Sequence, residues 1–106
     1  MNTKMIEIID NNLSACDSEE CYLLFYFTAK WCGPCQSIKP LLQKISEGSD
    51  TSKLKVYMID IDENEELAKE FQIRSVPTFY LYKKKELVGQ TGGADIKKVQ
   101  ELLKSM

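Results

Sequence analysis

The segment from Tyr22 to Ile45, YLLFYFTAKWCGPCQSIKPLLQKI, changes character at its middle. Tyr22 to Phe27 is an unbroken apolar and aromatic run, as expected of a strand buried on both faces. Further on, Ile38, Leu41, Leu42 and Ile45 fall at i, i+3, i+4 and i+7, one apolar stripe of a helix. Pro40 lies inside that stripe, where a missing N–H and a crowded preceding turn predict a kink. At the junction stand Cys32 and Cys35, separated by Gly33 and Pro34. A buried strand that gives way to a helix at a Cys-x-x-Cys pair is the feature around which the rest of the chain is read.

Outward from this segment, strand-like and helix-like stretches alternate. Met5 to Ile9 predicts a short strand, and Asn11 to Asp17 a short polar helix with Leu13 and Cys16 turned inward. Lys55 to Ile61 predicts another strand. Asp62, with Glu65 three residues on, resembles a capping box opening a helix that turns Leu67, Ala68 and Phe71 inward. Thr78 to Tyr82 reads as a strand starting just after Pro77, Lys83 to Lys85 as an exposed turn, and Glu86 to Thr91 as the last strand. Asp95 then caps a helix with Ile96, Val99, Leu102 and Leu103 inward. The order β-α-β-α-β-α-β-β-α predicts an α/β fold: a central mixed sheet of about five strands, flanked on both faces by four helices and closed by an antiparallel hairpin. No repeat or linker interrupts residues 1–106, which read as a single domain.

Composition narrows the function classes. The hydrophobic fraction is 43% and the charged fraction 28%, ordinary values for a globular chain able to bury a core. A net charge of −2 leaves no basic excess for nucleic acid or an anionic membrane. Histidine is absent, which excludes His-ligated metal sites and a Cys-His catalytic dyad. The opening MNTKMIEIID is too short and too polar for a signal peptide, and no run is long enough to span a membrane. A cytoplasmic protein is expected. In a reducing compartment, four cysteines are less suited to a static disulfide framework.

The thiolate is the reactive form of cysteine, and free N–H groups with the macrodipole stabilise it at a helix N-terminus. Cys32 is placed at the helix start and Cys35 one turn in. Cys32 is therefore expected to be the better-stabilised, more exposed attacking thiolate. Cys35 is then the resolving thiol, which closes on Cys32 and expels the substrate thiol from a mixed disulfide. Gly33 and Pro34 form the turn that keeps both sulfurs in range, and Pro34 has no N–H to offer the Cys32 sulfur, which implies a more reducing dithiol. Three other readings of the cysteines stand beside this one: a structural disulfide, a zinc site made from Cys16, Cys21, Cys32 and Cys35, and inert core thiols. A regulatory Cys16–Cys21 disulfide is a further option.

The stretch FTAKWCGPCQSIKPLLQKI resembles the active-site segment of the thioredoxin family, whose signature is WCGPC. The resemblance extends over nearly the whole chain, since MIDIDENEELAKEFQIRSVPTFYLYKKKELVGQTGG follows the family's later strand, helix, proline loop and hairpin in order. It implies a thioredoxin fold and a dithiol that reduces protein disulfides through Cys32 and Cys35. It also implies that Trp31 shields the pair and that Pro77 is a cis-proline beside it. Val76 would offer its backbone to an extended substrate chain, and Gly92 would let the last loop approach the sulfurs. Substrate would then lie along Trp31, Gly33, Pro34, Val76, Pro77 and Gly92. The implied partners are disulfide-containing proteins and a thioredoxin reductase that passes electrons from NADPH. A monomer with no bound cofactor and no metal is expected.

Two positions depart from the family pattern. Tyr26 stands where thioredoxins usually carry a buried Asp, and Met58 where a Lys often accompanies it. Losing both members of a buried charged pair is far less costly than losing one. Without that acid, Cys35 is expected to give its proton to water or to the Cys32 thiolate, with Tyr26 supplying at most a hydroxyl hydrogen bond. The hairpin also lacks the usual glycine, its turn being Lys83, Lys84 and Lys85. These departures leave room for an alternative, a non-catalytic binding module or a specialised donor of weak general activity. An isomerase or oxidant is disfavoured by Pro34.

Overall fold

A computed structural model describes residues 5–13, 21–50 and 53–106. The buried run forms strand β2 (Tyr22–Thr28), at the middle of a five-stranded sheet of order β1-β3-β2-β4-β5. β1 (Ile6–Glu7) and β3 (Leu54–Asp60) run parallel to it, whereas β4 (Thr78–Lys83) and β5 (Glu86–Gly92) form the antiparallel hairpin. β1 is shorter than the expected Met5–Ile9 because only Ile6 and Glu7 reach β3 as ladder partners.

Side chains alternate across a strand, so β2 serves two cores at once. Leu24 and Tyr26 face one side, where Ile38 and Leu42 of α1 (Gly33–Gly48) meet Val99 and Leu102 of α3 (Ile96–Leu103). Leu23, Phe25 and Phe27 face the other, packed with Tyr57, Ile59 and Leu67 of α2 (Glu65–Glu70). Helices on both faces explain the absence of any polar alternation in β2, as each fully buried large apolar side chain contributes about 1.5–3 kcal/mol.

Three of the four expected helices are present among the described residues. Of the stretch Asn11–Asp17, Asn11 to Leu13 are not helical, and the rest, including Cys16, lies outside the described residues. The capping box at Asp62 does not form. α2 begins three residues later, at Glu65, with Asn64 as its N-cap. The Asn64 side chain makes no bond to its own helix, and the N–H of Leu67 is capped instead by Oδ1 of Asn11, at 3.1 Å. Asp95 caps α3 as expected, accepting from the Lys97 N–H at 3.0 Å.

α1 runs unbroken through Pro40, and its inward stripe is Cys35, Ile38, Leu42 and Ser46. Leu41, expected inward, is 41% exposed: it lies beside the stripe, on a cleft that α1 shares with Ala94 and Ile96. In the hairpin, Lys83 ends β4 opposite Glu86, so the turn proper is Lys84–Lys85, with φ of 53° and 67°. Left-handed backbone at both positions of a two-residue hairpin favours Asn-Gly, and a side chain there costs roughly 1–2 kcal/mol. Lys85→Gly relieves that cost at the expense of about 0.5–1 kcal/mol of extra unfolded-chain freedom. It is expected to stabilise the protein by about 0.5–1 kcal/mol in urea unfolding; a lower midpoint would contradict this reading.

Candidate active site

β2 ends at Thr28, and Ala29 to Cys32 turn the chain into α1. The wholly buried Ala29 anchors this turn, its carbonyl accepting from the Cys32 N–H at 3.2 Å and from Nε2 of Gln36 at 2.9 Å. Cys32 is the N-cap of α1. Its sulfur accepts the Cys35 N–H at 3.2 Å, taking the place that Ser or Asp oxygen usually holds at a helix start. Pro34 lies in the first turn, where an N–H would have no intrahelical partner, so its ring costs the helix nothing.

The two cysteines are joined as a disulfide, with Cα atoms 5.2 Å apart. Their environments differ as the helix position predicted. Cys32 is 6% exposed and Cys35 not at all. Of the two, only Cys32 keeps any exposure, and its sulfur receives the Cys35 N–H. Ala29, Ile61 and Val76 pack around the pair. The Val76–Pro77 peptide is cis, and the Val76 carbonyl oxygen lies 3.7 Å from the Cys32 sulfur. Pro77 is buried, and its carbonyl accepts from the Gly93 N–H at 2.9 Å, tying the end of β5 to the proline loop.

Trp31 is 68% exposed beside the disulfide. Its indole N–H donates to a carboxylate oxygen of Asp62, at 2.8 Å. Asp62 is brought there by a turn at the end of β3, where the buried Asp60 carboxylate accepts the N–H groups of Asp62 at 2.8 Å and Glu63 at 3.3 Å. The role of Asp62 was not legible in the sequence, because its partner is 31 residues away and its spacing to Glu65 imitates a cap. Lys30 pairs with Glu63 at 3.0 Å, and that carboxylate raises the ammonium's pKa. Both groups are exposed, so the pair contributes little to stability.

Gly33 and Gly92 are exposed, with no crowding that would exclude a side chain. A Cβ on Gly92 would touch only the Pro77 oxygen at 3.9 Å and Thr78 Oγ1 at 4.0 Å, ordinary contacts. The conformational demand for glycine falls one residue later, on Gly93, with φ of 91°.

Beneath the pair, Tyr26 and Met58 are direct ladder partners on β2 and β3, so the two departures from the family pattern lie side by side. Tyr26 is wholly buried, its ring stacked on Phe79 with centroids 5.3 Å apart. Its hydroxyl donates to the Cys35 carbonyl oxygen at 2.7 Å. Burial pushes the phenol's pKa up, opposed in part by the nearby Thr28 hydroxyl, so it remains a proton-bearing donor at neutral pH rather than a base. The zinc reading would need Cys21 beside the pair, but Cys21 packs in the α2-side core, and no group of three or more metal-ligating side chains occurs among the described residues. The Cys16–Cys21 option rests on Cys16, outside those residues.

A disulfide-bonded sulfur pair at a helix N-terminus, the first member slightly exposed and the second sealed, is the site of a thiol–disulfide oxidoreductase. The wider comparisons agree. The thioredoxin family model matches residues 6–106. Thioredoxin from Bacillus subtilis (strain 168) is 36% identical over 100 residues, which is 93% of this chain and 94% of that protein. Thioredoxin from Malassezia sympodialis is 40% identical over 74 residues, 70% of each chain. The crystal structure of Schistosoma mansoni thioredoxin superposes with a TM-score of 0.88 at 34% identity, covering 98% of this chain and 96% of that one. The chain belongs to the thioredoxin family, and its activity is dithiol–disulfide exchange through the Cys32–Cys35 pair. No helix among the described residues is long and apolar enough to cross a membrane.

Proposed function

We propose that the protein is a general reductant of protein disulfides, a cytoplasmic monomer with no cofactor of its own. A flavin-containing thioredoxin reductase would reload it with electrons from NADPH. In the reduced protein the Cys32 thiolate attacks a substrate disulfide, forming a mixed disulfide and releasing one substrate thiolate, which takes a proton from solvent. Cys35 then gives its proton to water and attacks the Cys32 sulfur. The mixed disulfide breaks, the second substrate thiolate leaves, and two electrons have passed from the dithiol to the substrate. Trp31, Gly33, Pro34, Val76, Pro77 and Gly92 form the groove for the substrate backbone. An open face at Gly33 and Gly92 leaves room for an extended chain, and the Val76 carbonyl beside Cys32 offers it an acceptor.

The observation that carries the assignment of roles is the Cys35 N–H on the Cys32 sulfur, with Cys32 slightly exposed and Cys35 sealed. Reduction of insulin, followed as NADPH consumption with a thioredoxin reductase, tests it. Sustained turnover is expected. No reduction of insulin by chemically pre-reduced protein, where the choice of reductase is irrelevant, would overturn the general reading and favour a binding module or a specialised donor.

A further inference from the structure

The Tyr26 hydroxyl bridges from β2 to the helix carrying the cysteines, and it grips the backbone of Cys35 itself. The grip has a firm base. β2 is the central strand, hydrogen-bonded on both sides, and the tyrosine ring is stacked nearly flat on Phe79, its ladder partner on β4, with 10° between planes. The hydroxyl therefore ties the start of α1 to the central strand of the sheet. Cys35 is held at two points: its carbonyl by Tyr26, and its N–H on the Cys32 sulfur.

We propose that Tyr26 is a positioning residue for the exchange reaction, holding Cys35 where its sulfur faces that of Cys32 when the disulfide is open. This rests on the reading of Cys35 as the thiol that closes on Cys32. In the oxidised protein the S–S bond already fixes Cys35. In the reduced protein that constraint is gone, and the hydroxyl limits how far the residue strays. A thiol held near its target behaves as if present at high local concentration, and closure is favoured in proportion. The hydrogen bond and the disulfide hold Cys35 in the same place, so each strengthens the other; removing the hydroxyl therefore costs the oxidised form more than the reduced one, and the dithiol becomes a weaker reductant.

The test is the equilibrium constant for oxidation of the dithiol by glutathione, measured by mass spectrometry after acid quench for the native protein and Tyr26→Phe. Phenylalanine keeps the ring and its stack and removes only the oxygen. For the loss of one neutral hydrogen bond, the constant is expected to fall about three- to tenfold, a rise in potential of about 14 to 30 mV at 29.6 mV per tenfold. A purely structural role would lower the stability of both redox forms alike and leave the constant unchanged, so urea unfolding of each form accompanies the titration. A constant equal to the native value overturns the role of Tyr26 while leaving Cys35 as the closing thiol. A native protein that forms no intramolecular disulfide with glutathione overturns both.

Discussion

Cys32→Ser is expected to abolish disulfide reduction, taking insulin turnover to the background of the assay, whereas Cys35→Ser is expected to stop the reaction halfway. The difference follows from where the two sulfurs sit. Cys32 is the only one of the pair with any exposure, and the helix N–H that points at it stabilises developing negative charge on its sulfur. A serine oxygen at that position has a far higher pKa and does not form a stable bond to sulfur, so neither step proceeds. With Cys35→Ser the first step is untouched: Cys32 attacks, one substrate thiolate leaves, and the mixed disulfide persists because the intramolecular closing thiol is missing. Intact-mass measurement should therefore find a stable protein–substrate adduct with Cys35→Ser and none with Cys32→Ser. Adducts on Cys32→Ser through Cys35 would reverse the assigned roles. Equal activity of both variants would show that the exchange does not pass through this pair.

The second large effect is on stability, and it lies away from the sulfurs. Asn64→Ala is expected to cost about 3–5 kcal/mol, since it leaves several buried polar groups without partners at about 1–3 kcal/mol each, with incomplete additivity. Asn64 is wholly buried. Its amide donates to the carbonyls of Ile8 at 3.1 Å and Asp60 at 3.0 Å, and its oxygen accepts the Asn11 N–H at 2.9 Å. The Asp60 carbonyl keeps the Asn64 backbone N–H as a partner, so the Ile8 carbonyl and the Asn11 N–H bear most of the loss. Through Asn11 the damage reaches the cap on Leu67 and the start of α2. Domains of this size have a total stability of about 5–15 kcal/mol, so a large share is at stake. Urea unfolding should show a much lower midpoint with an unchanged slope. A loss below about 1 kcal/mol would mean that water replaces these bonds without difficulty.

The chemistry of the pair was legible because it is local. The spacing of Cys32 and Cys35, the helix that begins between them and the difference in their exposure all follow from a dozen neighbouring residues. The same holds for the unbroken run in β2, whose two buried faces require helices on both sides of the sheet. Where the reading failed, a distant residue had taken over a local task. Asp62 has the spacing of a cap, yet its carboxylate goes to the Trp31 indole, and α2 is capped by Asn11. Leu41 fits the apolar period of α1, yet the helix is rolled so that Cys35 and Ser46 face inward and Leu41 borders a cleft.

Tyr26 shows the division most clearly. From the chain alone it was an aromatic in a buried strand, standing where the family usually has an acid, with nothing to say what its hydroxyl would meet. Backbone geometry and apolar periodicity are properties of consecutive residues, and they determined the strand, the helix and the reactive pair. Which polar atoms meet in the interior depends on strand order, ladder register and the roll of each helix. Those arise only when the whole core packs, because a buried donor must find whatever acceptor the fold brings within reach. Tertiary structure alone placed the Tyr26 hydroxyl on the Cys35 carbonyl, Asn64 between Ile8 and Asn11, and Asp62 under the tryptophan.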